Sequence, residues 1–140
     1  MTNRGLNIIR AILITVLVLN GGLVYGGWVS LGEDEDLGLA IYVDPSTMSH
    51  KEDVVTMWIL YDFKSPQSKE GGTAFRSAKM QRQYDCAKER TRLMVIMNYA
   101  DNMGEGQEVA HSSFDQQEWT PVGSLEAGTV AKDLWTLACR

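Results

Sequence analysis

Histidine is scarce in this sequence: His50 and His111 are the only two. A zinc centre takes three or four ligands at suitable spacing. Two distant histidines and a cysteine pair expected to be oxidised do not supply that set, so neither a metal site nor a cofactor site is expected. Catalytic signatures are missing too. There is no G-x-S-x-G, no Walker A and no G-x-G-x-x-G, the arrangements that expose a nucleophile or cradle phosphates. Gly104-Glu105-Gly106 reads as a hairpin turn. Cysteine is as rare as histidine, with Cys86 and Cys139 alone. None precedes Cys86, so a lipid-anchored export signal is excluded. A nucleophile pairing Cys86 with a histidine would need a thiol kept reduced. The expectation is a non-catalytic chain.

Positive charge is also in deficit. The formal net charge is −5, and residues 1–26 hold Arg4 and Arg10 but no acid, so the remainder is more negative still. Such a surface does not attract nucleic acid or anionic lipid without a local basic patch. Arg76, Lys79, Arg82, Lys88, Arg90 and Arg92 are interrupted by Asp85 and Glu89. They read as a solvated strand pair first and a binding patch second. The acids between Gly32 and Gly38 lack the ligand spacing of a calcium-binding EF-hand loop and read as an acidic turn.

A long hydrophobic run is the third absence. Ala11–Leu19 is uncharged and apolar, then Asn20-Gly21-Gly22 breaks it. About 20 apolar residues are needed to cross a bilayer. A basic start, a short apolar core and a small-residue exit at Val24-Tyr25-Gly26 make a secretory signal. Residues 1–26 are therefore expected to be a signal peptide cut after Gly26. An uncleaved signal anchor, touching the membrane through residues 8–26, is the alternative. Residues 27–140 then form a single domain in the periplasm or at the cell surface of a bacterium. In that compartment a cysteine pair is usually oxidised, and two cysteines allow one connectivity, Cys86–Cys139. Two buried free thiols are the rival state.

What is present is mostly strand pattern. Trp28–Leu31 predicts a short edge strand and Leu39–Val43 a compact one, closed by the turn chemistry of Asp44-Pro45-Ser46. Val54–Phe63 is apolar on both alternating faces, which predicts a central strand covered on both sides. Lys64–Gly72 reads as a loop. Ala74–Tyr84 alternates and predicts a strand, although good helix formers over Ala78–Glu89 make a helix the competitor. Thr91–Tyr99 and the weaker Gln107–Phe114 follow. At the end, Ser124 is a candidate helix cap with Glu126 in the first turn. Ala127, Val130, Ala131, Leu134, Leu137 and Ala138 then recur at helical spacing. The fold class is α+β: an antiparallel meander with one C-terminal helix packed on a face and tethered by the disulfide. Of the tryptophans, Trp58 and Trp135 are expected in the core. Trp28 and Trp119 lie near loops and are candidate partner contacts.

Several of these segments together resemble the surface-adhesin protein E family. They are Trp58-Ile-Leu-Tyr-Asp-Phe63 with Ser65-Pro66-Gln67, Arg76-Ser77-Ala78-Lys79, Tyr84-Asp85-Cys86-Ala87, and Arg90 with Arg92. Met103-Gly104-Glu105-Gly106, Trp119-Thr-Pro121-Val, Cys139, and Tyr42-Val43-Asp44 with Ser46 complete the set. The resemblance implies a sheet of about six antiparallel strands and a terminal helix held by Cys86–Cys139. It also implies an adhesin-like module with a protein partner, from the host or the envelope, and a capacity to form a homodimer. The missing lipid-anchor cysteine is a departure from the family's namesake. A periplasmic structural or accessory protein is the alternative role.

Overall fold

The structure, a computed structural model, describes residues 24–115, 117–124 and 129–140. Most of the expected signal segment, and Glu126 and Ala127 of the expected helix start, lie outside the described residues. Nine antiparallel strands form one sheet: β1 (Val24–Tyr25), β2 (Trp28–Asp34), β3 (Leu39–Val43), β4 (Ser49–Lys51), β5 (Val54–Gln67), β6 (Phe75–Asp85), β7 (Arg90–Tyr99), β8 (Glu108–Ser113) and β9 (Thr120–Pro121). Their order is β1-β2-β3-β5-β6-β7-β8, with β4 beside β3 on the same edge of β5 and β9 beside β8 on the same edge of β7. The six strands of five or more residues are the six the sequence points to. One helix follows, α1 (Val130–Cys139).

The strand boundaries differ from the sequence reading where backbone pairing outvotes side-chain pattern. β2 runs through Gly32 to Asp34, its register shifting between Ser30 and Gly32, so the acidic turn is shorter than expected. β5 continues past Phe63 to Gln67. Pro66 is tolerated there because pairing with β6 jumps from Asp62↔Ser77 to Gln67↔Phe75, and proline has no N–H to contribute to a ladder. The segment 75–85 is a strand, paired on both sides over most of its length. That settles its competition with a helix.

The core lies on one face of the sheet. Leu39, Ile41 and Val43 of β3, Val55, Met57 and Ile59 of β5, and Met80 and Tyr84 of β6 are buried there with Leu134 and Ala138 of α1. Strand alternation puts these positions on a single face. Cys86, just beyond β6, bonds Cys139 at the helix end with Cα atoms 5.5 Å apart. The disulfide therefore pins α1 to the sheet, as expected from the sequence.

The helix start is corrected. Thr129 is the N-cap, its side chain accepting from the N–H of Lys132, while Ser124 ends a short 3-10 turn, Val122–Ser124. Gly128, which costs about 1 kcal/mol inside a helix relative to alanine, stands just before that cap. The buried stripe is Val130, Leu134 and Ala138, flanked by Trp135. Leu137, expected on the apolar face, is exposed, because a ten-residue helix resting on a flat sheet buries one narrow i, i+4 row.

Candidate functional site

No described helix covers the other face of the sheet. Its residues are fixed by register. Tyr42, Leu60, Lys79, Met97 and His111 face one another across five strands. Trp58, Gln81, Val95 and Ser113 form the next row. The expectation that β5 is covered on both sides holds only in part: its second face is half-buried. Leu60 is fully buried, but Trp58 is only half-buried and belongs to this face rather than to the core. Trp135, the other tryptophan assigned to the core, does pack against it, with its ring centroid 6.1 Å from that of Tyr84.

Trp28 and Trp58 line a hollow of about 240 Å³ together with Asp44, Thr47, Lys79 and Met97. A second hollow, of about 540 Å³, shares Trp28 and Lys79 and is closed by the turn at Asn102–Glu105. Lys79 extends over the ring of Tyr99, its Nζ 4.9 Å from the centroid. The combination is amphipathic: indole and thioether surface beside one ammonium group. Aromatic side chains of this kind supply large contact area with little conformational entropy to lose.

The turn is bolted down from beneath. The Asp62 carboxylate accepts from Met103 N–H at 2.8 Å and from the Asn102 side chain at 3.0 Å. Ser77, fully buried, donates to the Asp101 carbonyl at 2.6 Å and accepts from Gly104 N–H at 2.8 Å. Met103 and Gly104 both have positive φ, 60° and 69°. A Cβ at Gly104 would run into Cε of Lys79, so glycine here is what lets the lysine lie flat along the face. Met103, Gly104 and Glu105 of the sequence pattern thus wall the hollow.

Trp119 sits at the other end of the same face. The guanidinium groups of Arg90 and Arg92 lie 4.5 and 4.1 Å from its ring centroid. Each arginine is also held from below, Arg90 Nε by Asp85 Oδ2 at 3.0 Å and Arg92 Nε by Gln83 Oε1 at 2.9 Å. Backbone pairing of Arg90 with Pro121 and Thr91 with Thr120 brings the Trp119 segment alongside β7. A cation–π contact contributes about 0.5–1 kcal/mol at an exposed site, and two act on this ring.

The carboxyl of Asp85 is held below its ordinary range, first by the backbone N–H of Lys88 and then by Arg90. A depressed native value means the unfolded chain binds the proton more readily. The stabilisation is complete above the ordinary aspartate pKa and is lost as pH falls through the native one. An Asp85→Asn variant is expected to melt below the wild type at pH 7, with the gap narrowing as the pH is lowered towards 3. A gap that stays constant over that range would remove Asp85 as the acid-sensitive brace under Arg90.

Both tryptophans singled out from the sequence are half-buried on this face, in separate clusters. Sequence reasoning missed Trp58, because strand alternation alone does not say which face of a doubly apolar strand the helix will take. The arginine stack was legible only as a charge run.

A family model described as surface-adhesin protein E matches residues 28–140. The chain belongs to the surface-adhesin protein E family. Three crystal structures of protein E from Haemophilus influenzae share its fold. That from a non-typeable strain is 15% identical with a TM-score of 0.60, covering 84% of this chain and 78% of the other. Another is 16% identical with a TM-score of 0.57, covering 84% and 86%. A second crystal form is 14% identical with a TM-score of 0.58, covering 84% and 90%. Among curated proteins none matches the chain. The family match takes in β2 to α1 and so includes both tryptophan clusters.

Proposed function

We propose that this protein is a non-catalytic, exported module of the bacterial cell envelope that binds a protein partner on the sheet face that no described helix covers. Residues 1–26 serve as the export signal and residues 27–140 as the binding domain. Family membership supports an adhesin-like role at the surface or in the exported fraction. The observation that carries the reading is the placement of Trp28, Trp58 and Trp119 on the one sheet face that no described helix covers. Half-exposed tryptophans set in polar surroundings are the commonest anchors of protein interfaces.

The test is a binding screen of the protein, recovered from the envelope, against purified envelope and extracellular-matrix proteins. Trp28→Ala, Trp58→Ala and Trp119→Ala are run beside the wild type, with thermal melts to confirm that each is folded. Interface anchors of this type lose about 2 kcal/mol or more on truncation, so at least one variant is expected to bind about 30-fold more weakly. A wild type that binds nothing in the panel, or three folded variants that bind as well as it does, would overturn the proposal. The intact mass of the recovered protein reads out the signal: a chain beginning at Gly27 supports cleavage, and a full-length chain replaces it with an anchor.

A further inference from the structure

The face that no described helix covers carries two cations without ion pairs, and this gives the proposed partner a chemistry. Five carboxylates on and beside its strands are engaged within the chain, while Glu89 and Glu118 make no ion pair among the described residues. Asp85 is held by Arg90, Asp62 by the N–H of Met103, Glu108 by His111, Glu33 by Lys64, and Asp44 by the N–H of Ser46. Glu105, on the turn at the far end, lines a hollow with Lys79 and makes no ion pair with it. On this face Lys79 and Arg92 make no ion pair with a carboxylate among the described residues. Lys79 lies over Tyr99, and Arg92 lies over Trp119 with its Nε on the neutral amide of Gln83. A chain with a net charge of −5 thus presents a band of two cations without ion pairs, on a surface that also carries Trp58, Tyr99 and Trp119.

The spacing of that band matches an extended chain. Lys79, Gln81 and Gln83 share one face of β6, and Arg92 is the direct cross-strand neighbour of Gln83. Four residues along a strand span about 13 Å. Between the two cations lies the row of Trp58, Gln81 and Val95. An extended polypeptide laid along this direction has the same rise per residue, and its residues i, i+2 and i+4 point to one side. Acidic side chains at i and i+4 then meet the two cations, and an apolar side chain at i+2 meets Trp58 and Val95. Arg92, braced by Trp119 and Gln83, offers its outer guanidinium edge for a carboxylate at little entropic cost.

We infer that this band recognises an extended polypeptide segment with acidic residues four apart and an apolar residue midway. The inference rests on the proposed binding role of the face and specifies its ligand. The peptide is favoured because its i, i+2, i+4 side chains repeat with the rise of the strand beneath it, which a polysaccharide backbone does not share.

The probe is a synthetic peptide with the core Glu-Ser-Leu-Ser-Glu in a serine-rich frame, titrated calorimetrically into the envelope-purified protein at low salt. Controls are the same peptide with lysine for both acids, a peptide with its acids only two apart, and a sulfated polysaccharide. The acidic i, i+4 peptide is expected to bind at least about tenfold more tightly than either control peptide, and to weaken as salt rises. Lys79→Gln and Arg92→Gln should each weaken it by about tenfold, in proteins that melt like the wild type. Lys79→Gln leaves the Trp119 stack intact, so it keeps the test clear of any disturbance there. Absence of binding, or equal binding of the lysine peptide, overturns the inference. Tighter binding of the polysaccharide, lost in the same variants, overturns it in favour of a glycan ligand. If tryptophan-dependent binding to an envelope or matrix protein persists while the peptides fail, the proposed function stands and only this ligand chemistry falls.

Discussion

Loss of the Cys86–Cys139 disulfide is expected to lower stability by about 4 kcal/mol, the figure that the loop-closure relation gives for a loop of this length. The bridged residues are 53 apart in sequence, so the bond removes a large share of the unfolded chain's freedom. Small domains are stable by roughly 5–15 kcal/mol, and 1 kcal/mol moves the melting temperature of a domain of about 100 residues by several degrees. The double variant Cys86→Ser, Cys139→Ser should therefore melt roughly 20 °C below the oxidised protein. Circular dichroism melts of both proteins, with and without reductant, check it. A reductant effect of only a degree or two on the wild type would show that the bond sits on a frame already rigid without it.

The expected effect extends beyond entropy because of what the bond holds. α1 has ten residues, and an isolated helix of that length is marginal in water. Its last residue carries the bond, and only Leu134 and Ala138 are fully buried along it. Amide exchange over residues 130–139 should accordingly be protected in the oxidised protein and fast in the double variant, while amides of β5 and β6 stay protected in both.

Which features were legible in the sequence follows from the range of the forces that set them. The core strands were visible because strand composition is a local signal: Leu39–Val43 and Val54–Phe63 are short runs of apolar β-formers, and Thr91–Tyr99 has Leu93, Val95, Met97 and Tyr99 on one face. The disulfide was visible because two cysteines allow one pairing. The helix start was not. Thr129 and Ser124 are equally good caps by type, and the choice depends on where the chain returns to Cys86. The functional face was half legible. Trp28 and Trp119 stood out as aromatic residues near loops, but their sharing a face with Trp58 is a matter of register between β2, β5 and β7, which no local pattern encodes. The run from Arg76 to Arg92 looked like one charged stretch. Pleating divides it, sending Arg82 beneath the helix beside Tyr61 and Tyr84 and Lys79, Arg90 and Arg92 to the open side.

Leu134→Ala is expected to cost about 3 kcal/mol in the oxidised protein, within the range for a leucine truncated at a buried site. Leu134 is 2% exposed and packs into the cluster formed by β3, β5 and β6, and the disulfide prevents α1 from simply leaving. The same substitution should cost much less in the double serine variant. There the helix is free to detach. Starting a helix opposes docking by roughly 4 kcal/mol, against roughly 3 kcal/mol gained by burying a leucine and an alanine. Docking without the bond is thus close to balance. Once the helix lets go, further loss of its contacts no longer registers in the stability of the sheet. A double-mutant cycle measures this directly. A coupling of about 2 kcal/mol between the disulfide and Leu134 is the expected result, because each matters only while the other keeps α1 in place. Strict additivity would mean that the bond acts on the unfolded chain alone and that α1 docks unaided. The two outcomes also differ for the binding face. A helix that detaches exposes the core side of β5 and β6, giving the reduced protein a second apolar surface and a tendency to associate that the oxidised form lacks.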